Sequence, residues 1–294
     1  MSAAGLDPSL VHRLIAGQFP RWAGLPVTEV HSTGTDNAIF RLGDDLAVRL
    51  PRSRPAAAAL DREYRWLPLL APRLPLAVPV PLGLGAPADG FAYRWAVYRW
   101  IEGESLLDSP GADRDEVAVR LGRFVAALQR IDLTGGPSSF RGGPIGALDA
   151  RVRVEIRELG SDGTVDADQA SVVWESALAA PAWDRPPVWV HADLFPGNLL
   201  VRDGRLSAVI DFGGLGVGDP ACDLLPAWAL LTGRSRDLFR VEVGVDHETW
   251  VRGRGWGLAL GLGAASFFRD TDPALAAAGR HAVAEAIAGH ERGS

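Results

Sequence analysis

The stretch Val190-His191-Ala192-Asp193-Leu194-Phe195-Pro196-Gly197-Asn198-Leu199-Leu200-Val201-Arg202-Asp203-Gly204-Arg205-Leu206-Ser207-Ala208-Val209-Ile210-Asp211-Phe212-Gly213 decides how this chain is read. Leu199-Leu200-Val201 and Leu206-Ser207-Ala208-Val209-Ile210 flank Asp203-Gly204, a strong two-residue hairpin signal, because Asp and Gly tolerate the positive φ that the favoured turn demands. The two strands therefore pair antiparallel. Folding at the turn brings Asn198, which enters the first strand, beside Asp211, which leaves the second.

A hard cation such as magnesium takes oxygen ligands, keeps several waters and is commonly held by one or two protein oxygens plus substrate phosphates. Asn198 and Asp211 supply such a pair. Asp193 lies five residues before Asn198, across a loop containing Pro196 and Gly197, so it can face the same cavity without touching the metal. It fits a base, or a group that orients an acceptor hydroxyl. His-x-Asp, Asn five residues after the Asp, and a downstream Asp-Phe-Gly occur in this order in the kinase pattern. Any one of these residues alone reads as a turn former or helix cap; hairpin, order and spacing together point to phosphoryl transfer. His191, which follows an apolar strand, is read as a ring that holds the loop by hydrogen bonding.

At 294 residues and 47% apolar content the chain is long enough for two lobes with their own cores. No apolar run long enough to span a bilayer and no basic-then-apolar leader is seen, so the expectation is a cytoplasmic protein without a membrane partner. Cys222 is the sole cysteine and reads as a small buried hydrophobe, which excludes an internal disulfide and a cysteine-rich metal site. Lysine is absent, so all 30 basic side chains are arginines and any lysine role must fall to arginine. Residues 1–100 carry 11 Arg against 8 Asp and Glu, whereas residues 101–294 carry 19 against 28. A basic first part suits a polyanionic donor, and an acidic second part suits a cationic acceptor. Nothing resembles a basic nucleic-acid stripe.

Working outward, a helix is expected over 7–17 and strands over 27–31, 38–42 and 46–50, with Gly43-Asp44-Asp45 as a turn. Between the first two strands lies Ser32-Thr33-Gly34-Thr35-Asp36-Asn37, a polar loop able to offer backbone N–H groups and hydroxyls to phosphate oxygens. It is not a Walker loop, since no Gly-Lys-Ser/Thr follows. Pro55 opens a helix through about residue 70; strands follow over 78–84 and 93–101, joined by a turn at 87–90. After Glu102-Gly103-Glu104 the period changes, and Val117, Leu121, Phe124, Val125 and Leu128 mark an amphipathic helix over 113–131. A Gly/Pro-rich loop covers 134–146, helices 147–159 and 167–180 precede the hairpin, and the chain reads as helical after Asp219. The fold class is α+β, with a small antiparallel-sheet N-lobe over 1–102 and a mainly helical C-lobe over 103–294. A ligand cleft is favoured at such a boundary.

Over nearly its whole length the chain resembles the aminoglycoside phosphotransferase family, whose members share a bilobal protein-kinase-like fold. The likeness is most specific in residues 191–198, in Val209-Ile210-Asp211-Phe212-Gly213 and in Gly218-Asp219-Pro220-Ala221-Cys222-Asp223-Leu224. Family members often carry Gly where Ala192 stands and His where Phe195 stands. The resemblance implies that Asp193 is the catalytic aspartate, and that Asn198 and Asp211 bind Mg2+ bridging the donor phosphates. It also implies that Arg49, in Leu46-Ala47-Val48-Arg49-Leu50-Pro51, replaces the phosphate-binding lysine. The helix partner of Arg49 would be Glu63, with Asp61 as the alternative. A guanidinium is bulkier, planar and bidentate where an ammonium is a point charge, so either the helix shifts slightly or the activity weakens.

By the same resemblance Arg99, Trp100 and Ile101 belong to the interlobe linker and meet the nucleotide base through main chain, without separating ATP from GTP. Asp219 would buttress the catalytic loop, and Asp223 is read as capping or stabilising the following helix. The activity implied is Mg-dependent transfer of the γ-phosphate of ATP or GTP to a hydroxyl of a small molecule, an aminoglycoside or another antibiotic. Two other readings stand beside it: a kinase for a metabolite such as choline, homoserine or a sugar, and a weakly active nucleotide-binding regulatory protein. A monomer or a homodimer is compatible with each.

Overall fold

The structure, a computed structural model, describes residues 5–30, 36–132 and 134–293. Ser32, Thr33, Gly34 and Thr35, the expected phosphate-facing loop, lie outside the described residues. The chain forms two compact units, one of Met1–Arg73, Ala77–Glu102 and Val209–Gly213, the other of Leu74–Leu76, Gly103–Ala208 and Gly214–Ser294.

In the first unit Asp7 accepts from the Leu10 amide and starts α1 (Pro8–Gln18). Strands β1 (Val27–Val30), β2 (Asn37–Leu42) and β3 (Leu46–Pro51) follow, then α2 (Arg54–Leu70), which Ser53 caps, and β4 (Pro81–Gly85) and β5 (Trp95–Arg99). They make one antiparallel sheet in the order β1-β2-β3-β5-β4. The last two strands are shorter than expected, β4 for a local reason. Pro79 and Pro81 have no N–H for a ladder, which suits an edge strand entered late; past the end of β5 the Trp100 amide still meets the Asp45 carbonyl at 2.7 Å, in register with the β3–β5 pairs.

Strand alternation sorts the sheet into two faces. Phe40, Leu42, Val48, Leu50, Trp95 and Val97 form one core with Leu10, Val11, Leu14 and Ile15 of α1. The intervening residues face the other way, where Ala96 and Tyr98 pack with Leu60 of α2. Arg49 is out of phase with Val48 and Leu50 and belongs to this second face. On α2, Leu60, Glu63, Leu67 and Leu70 are all buried. Their spacing is that of one helical stripe, and it places a carboxylate where an apolar side chain is the rule.

The second unit contains, in chain order, β6 (Glu104–Ser105), α3 (Arg114–Gln129), α4 (Asp149–Ser161), α5 (Ala167–Ala179), β7 (Val188–Val190), β8 (Leu199–Arg202), β9 (Arg205–Val209) and β10 (Gly216–Gly218). Helices α6 (Pro226–Ala229), α7 (Gly233–Val243), α8 (His247–Phe267) and α9 (Pro273–Glu291) complete it. The β8–β9 hairpin is present, with Asp203 at φ 53° and Gly204 at φ 74°. Two consecutive left-handed residues give the mirror-image turn that follows the natural twist of the strands. Strand β6 extends this hairpin on the β8 side, while β7 and β10 pair antiparallel as a separate ribbon.

Candidate active site

In the second unit the chain leaves β7 at Val190 and enters the loop that carries Asp193. His191 is fully buried, and Ala192 takes φ 67°, a left-handed conformation that disfavours a Cβ. What holds it is Asp223, also fully buried, whose Oδ2 accepts the His191 amide at 2.8 Å and whose Oδ1 accepts the Ala192 amide at 2.6 Å. His191 Nδ1 accepts the Asp193 amide at 3.2 Å, so the imidazole serves the loop. Ala192→Gly removes the steric conflict, and is expected to raise unfolding free energy by about 1 kcal/mol, read from urea unfolding.

The structure reverses the roles expected of Asp219 and Asp223. Asp219 caps the short 3-10 turn Pro220–Leu224 through the Ala221 amide and forms a buried two-point pair with Arg252 of α8, Nε to Oδ2 at 2.7 Å. Asp223, four residues on and within that turn, clamps the loop that carries Asp193. Two aspartates in one short motif differ only in the way their turn faces, which residue type does not reveal.

Burial pushes the Asp223 carboxyl up to about 7 against the pull of the two amide donors, with Asp193 adding to the rise. The folded state therefore holds this proton more tightly than the unfolded chain, whose aspartates titrate near about 3.9. The resulting stabilisation is complete below about pH 4 and is lost as pH rises through about 7, on the order of 4 kcal/mol in all. Urea unfolding between pH 4 and 8 should show this decline in the parent chain. Asp223→Asn, which cannot titrate, should flatten it.

Asp193 itself is held on both oxygens. Asn198, in the 3-10 turn Pro196–Asn198 ahead of β8, donates Nδ2 to the Asp193 carbonyl at 2.8 Å and to Oδ2 at 3.3 Å. With its nitrogen so engaged, Asn198 keeps Oδ1 as the atom able to meet a cation. Arg141 donates Nη1 to Asp193 Oδ1 and to the Ala192 carbonyl. No motif marks Arg141, which comes from an irregular loop some fifty residues upstream.

The first unit gathers Arg49, Glu63, Tyr98 and Asp211. Arg49 Nη1 meets Glu63 Oε2 at 2.7 Å, and the Tyr98 hydroxyl donates to the same oxygen at 3.2 Å. Asp61, the alternative partner, instead pairs with Arg94 at 3.4 Å. Burial works against the charge on Arg49, but Glu63, Tyr98 and Asp211 outweigh it and hold the guanidinium above its ordinary value. Burial likewise pushes the Glu63 carboxyl up, against the pull of Arg49. Tyr98 could have been found by alternation, since its side chain shares the sheet face of Arg49 on the adjacent strand.

Asp211 takes φ 60°, unusual for a residue other than Gly. Its Oδ1 accepts the Gly213 amide at 3.4 Å and lies 3.8 Å from Arg49 Nη2. Arg62 of α2 donates to the Gly213 carbonyl at 2.8 Å and ties this turn to the helix. The Asp211 carboxylate is 45% exposed, open to a further ligand. Arg99 is exposed at the end of β5. The Trp100 amide is engaged by Asp45, and Arg41 covers one face of the indole at 4.2 Å. The main-chain role expected of Trp100 is thus restricted to its carbonyl, because the donor has a protein partner.

The family model described as APH, the phosphotransferase enzyme family, matches residues 27–256. The chain belongs to this family. It is a phosphotransferase, and its antiparallel N-terminal sheet and helical C-terminal part are those of the kinase-like fold. Among solved structures this phosphotransferase is similar to the GDP complex of wild-type aminoglycoside 2'-phosphotransferase-IIIa, at 20% identity over 97% of this chain and 99% of that one, TM-score 0.72. It is also similar to a gentamicin-APH(2")-IIa complex, at 18% identity over 97% of both chains, TM-score 0.62. A third likeness is to the apoenzyme of macrolide 2'-phosphotransferase MphH from Brachybacterium faecium, at 23% identity over 96% and 97%, TM-score 0.62. At these identities the likeness is one of fold. No curated protein matches the phosphotransferase. Among its described residues no helix is long and apolar enough to cross a membrane.

Proposed function

We propose that this phosphotransferase moves the γ-phosphate of ATP or GTP to a hydroxyl of an antibiotic, an aminoglycoside or another hydroxylated one, with Mg2+ bound to the donor. The observation that carries the reading is the Asp193 carboxylate, partly exposed yet fixed on one oxygen by Asn198 and on the other by Arg141. A carboxylate held this way is preorganised to take a proton or orient a hydroxyl, and in phosphoryl transfer most of the protein's work is positioning and charge neutralisation. The acceptor oxygen bonds to the γ-phosphorus as the β–γ bridging P–O bond breaks. Its electron pair leaves with the nucleoside diphosphate, and the hydroxyl proton passes to Asp193.

Asn198 Oδ1 and the half-exposed Asp211 carboxylate are hard oxygen donors and fit magnesium. They are the ends of the β8–β9 hairpin, and we assign them as its protein ligands. Magnesium would neutralise charge on the β- and γ-phosphate oxygens. Arg49, fixed by Glu63 through Nη1, is assigned to a donor phosphate through Nη2, and Ser32 to Thr35 and the linker at Arg99 to Ile101 are assigned to the nucleotide. Support for an antibiotic acceptor comes from the gentamicin and macrolide enzymes that share the fold.

The test is diphosphate release from ATP and GTP with a panel of aminoglycosides, macrolides, choline, homoserine and sugars, with and without EDTA. Turnover of one antibiotic that EDTA abolishes is the expected result. Silence with every antibiotic beside turnover of a metabolite would sink the acceptor assignment, and full activity in EDTA would sink the metal.

A further inference from the structure

Arg141 reaches Asp193 from a loop that is built in detail. The Val217 amide donates to the Pro137 carbonyl at 2.8 Å and the Ser139 amide to the Val217 carbonyl at 3.0 Å, a single parallel bridge that fastens Ser138 beside Val217 of β10. Ser139 Oγ donates to the Gly214 carbonyl at 2.9 Å and accepts the Arg141 amide at 3.3 Å. The Asp219 amide then closes the loop on the Gly142 carbonyl at 2.9 Å. The seat depends on glycine, since a Cβ on Gly216 would stand 2.7 Å from the Pro137 carbonyl oxygen. At the tip Phe140 is 67% exposed, and the Arg141 guanidinium lies 4.8 Å over its ring.

A loop so fastened does not place a guanidinium on a carboxylate by chance of a flexible side chain. One nitrogen of Arg141 bridges the Ala192 carbonyl and Asp193 Oδ1, so it joins the strained residue to the reacting group after it. Asn198 holds the opposite oxygen. The two together fix the rotation of the carboxylate about its Cβ–Cγ bond, which neither could do alone.

We propose that Arg141 is a positioning residue for the reaction, setting the plane of the Asp193 carboxylate and holding a positive charge beside the oxygen that receives the acceptor hydroxyl. The inference rests on the assignment of Asp193 given above. A misplacement of about 1 Å at a reacting group costs on the order of a hundredfold in rate, and loss of the guanidinium frees Asp193 to that extent while leaving the nucleotide residues of the first unit intact.

The experiment measures binding of Mg·ATP and Mg·GTP by calorimetry, and diphosphate release with water alone and with gentamicin as acceptors. The variants are Arg141→Ala, Arg141→Lys, Arg141→Ala with Ala192→Gly, and Asp193→Asn. The expected result is that Arg141→Ala lowers kcat by about 10–100-fold with nucleotide Kd within about twofold. Added guanidinium ion or Arg141→Lys should restore part of the rate. Ala192→Gly should not restore it. Recovery of the rate by Ala192→Gly would mean that Arg141 only holds a strained backbone, and would overturn the proposal, as would an unchanged kcat in Arg141→Ala. An unchanged rate in Asp193→Asn would instead defeat the catalytic assignment, and absence of nucleotide binding in the parent chain would defeat the donor; both differ from the outcome in which Arg141 alone is dispensable.

Discussion

Asp193→Asn is expected to reduce kcat by about 10²–10⁴-fold, the range associated with a lost general base, with nucleotide affinity nearly unchanged. The substitution is almost isosteric. Its Oδ1 can still accept from Arg141, and the loop remains clamped by Asp223 through the His191 and Ala192 amides. What disappears is the charge and the capacity to take a proton. Calorimetry with Mg·nucleotide and a coupled assay of diphosphate release separate the two effects. A variant within about threefold of the parent rate would remove Asp193 from the chemistry altogether.

The second large effect is expected at Glu63. Its side chain is fully buried and meets Arg49, whose own side chain is only 12% exposed. Glu63→Ala takes away the close partner of the buried guanidinium and leaves only Asp211, at 3.8 Å, and removing one member of a buried pair costs about 3–5 kcal/mol. Urea unfolding should register that loss, and nucleotide binding should weaken because Arg49 loses the hydrogen bond that fixes it. Tyr98→Phe is the graded control. It removes one hydrogen bond to a charged acceptor, worth about 1.5–3 kcal/mol, and leaves the ion pair in place. A Glu63→Ala chain as stable as the parent would show that solvent reaches Arg49 after the change and that the pair contributes little.

The elements legible in the sequence were those with a local cause. Asp203-Gly204 announces its turn because such residues accept two left-handed conformations in succession, α2 is announced by Pro55 in its first turn, and α3 by its apolar stripe. Strand β4 starts later than alternation predicts because the prolines at 79 and 81 cannot donate to a ladder, a loss that side-chain alternation does not register. Asp193 and Asn198 are singled out in the sequence by their spacing. Arg141 is not, because the hydrogen bonds that seat it join residues far apart in sequence and its loop has no period to read. The exchange of roles between Asp219 and Asp223 has the same origin: a 3-10 turn decides which carboxylate faces inward, and both sequence positions suit either role.

The pair between Arg49 and Glu63 has a chemical corollary beyond stability. Reagents that label nucleotide sites by acylating a buried lysine need a nucleophilic ε-amine, and this chain has none anywhere along its 294 residues. A guanidinium that stays protonated and is locked against a carboxylate is inert to such electrophiles. Covalent probes of that design should pass over this phosphotransferase while marking lysine-bearing kinases in the same mixture, so an unlabelled band would say nothing about whether its nucleotide site is occupied.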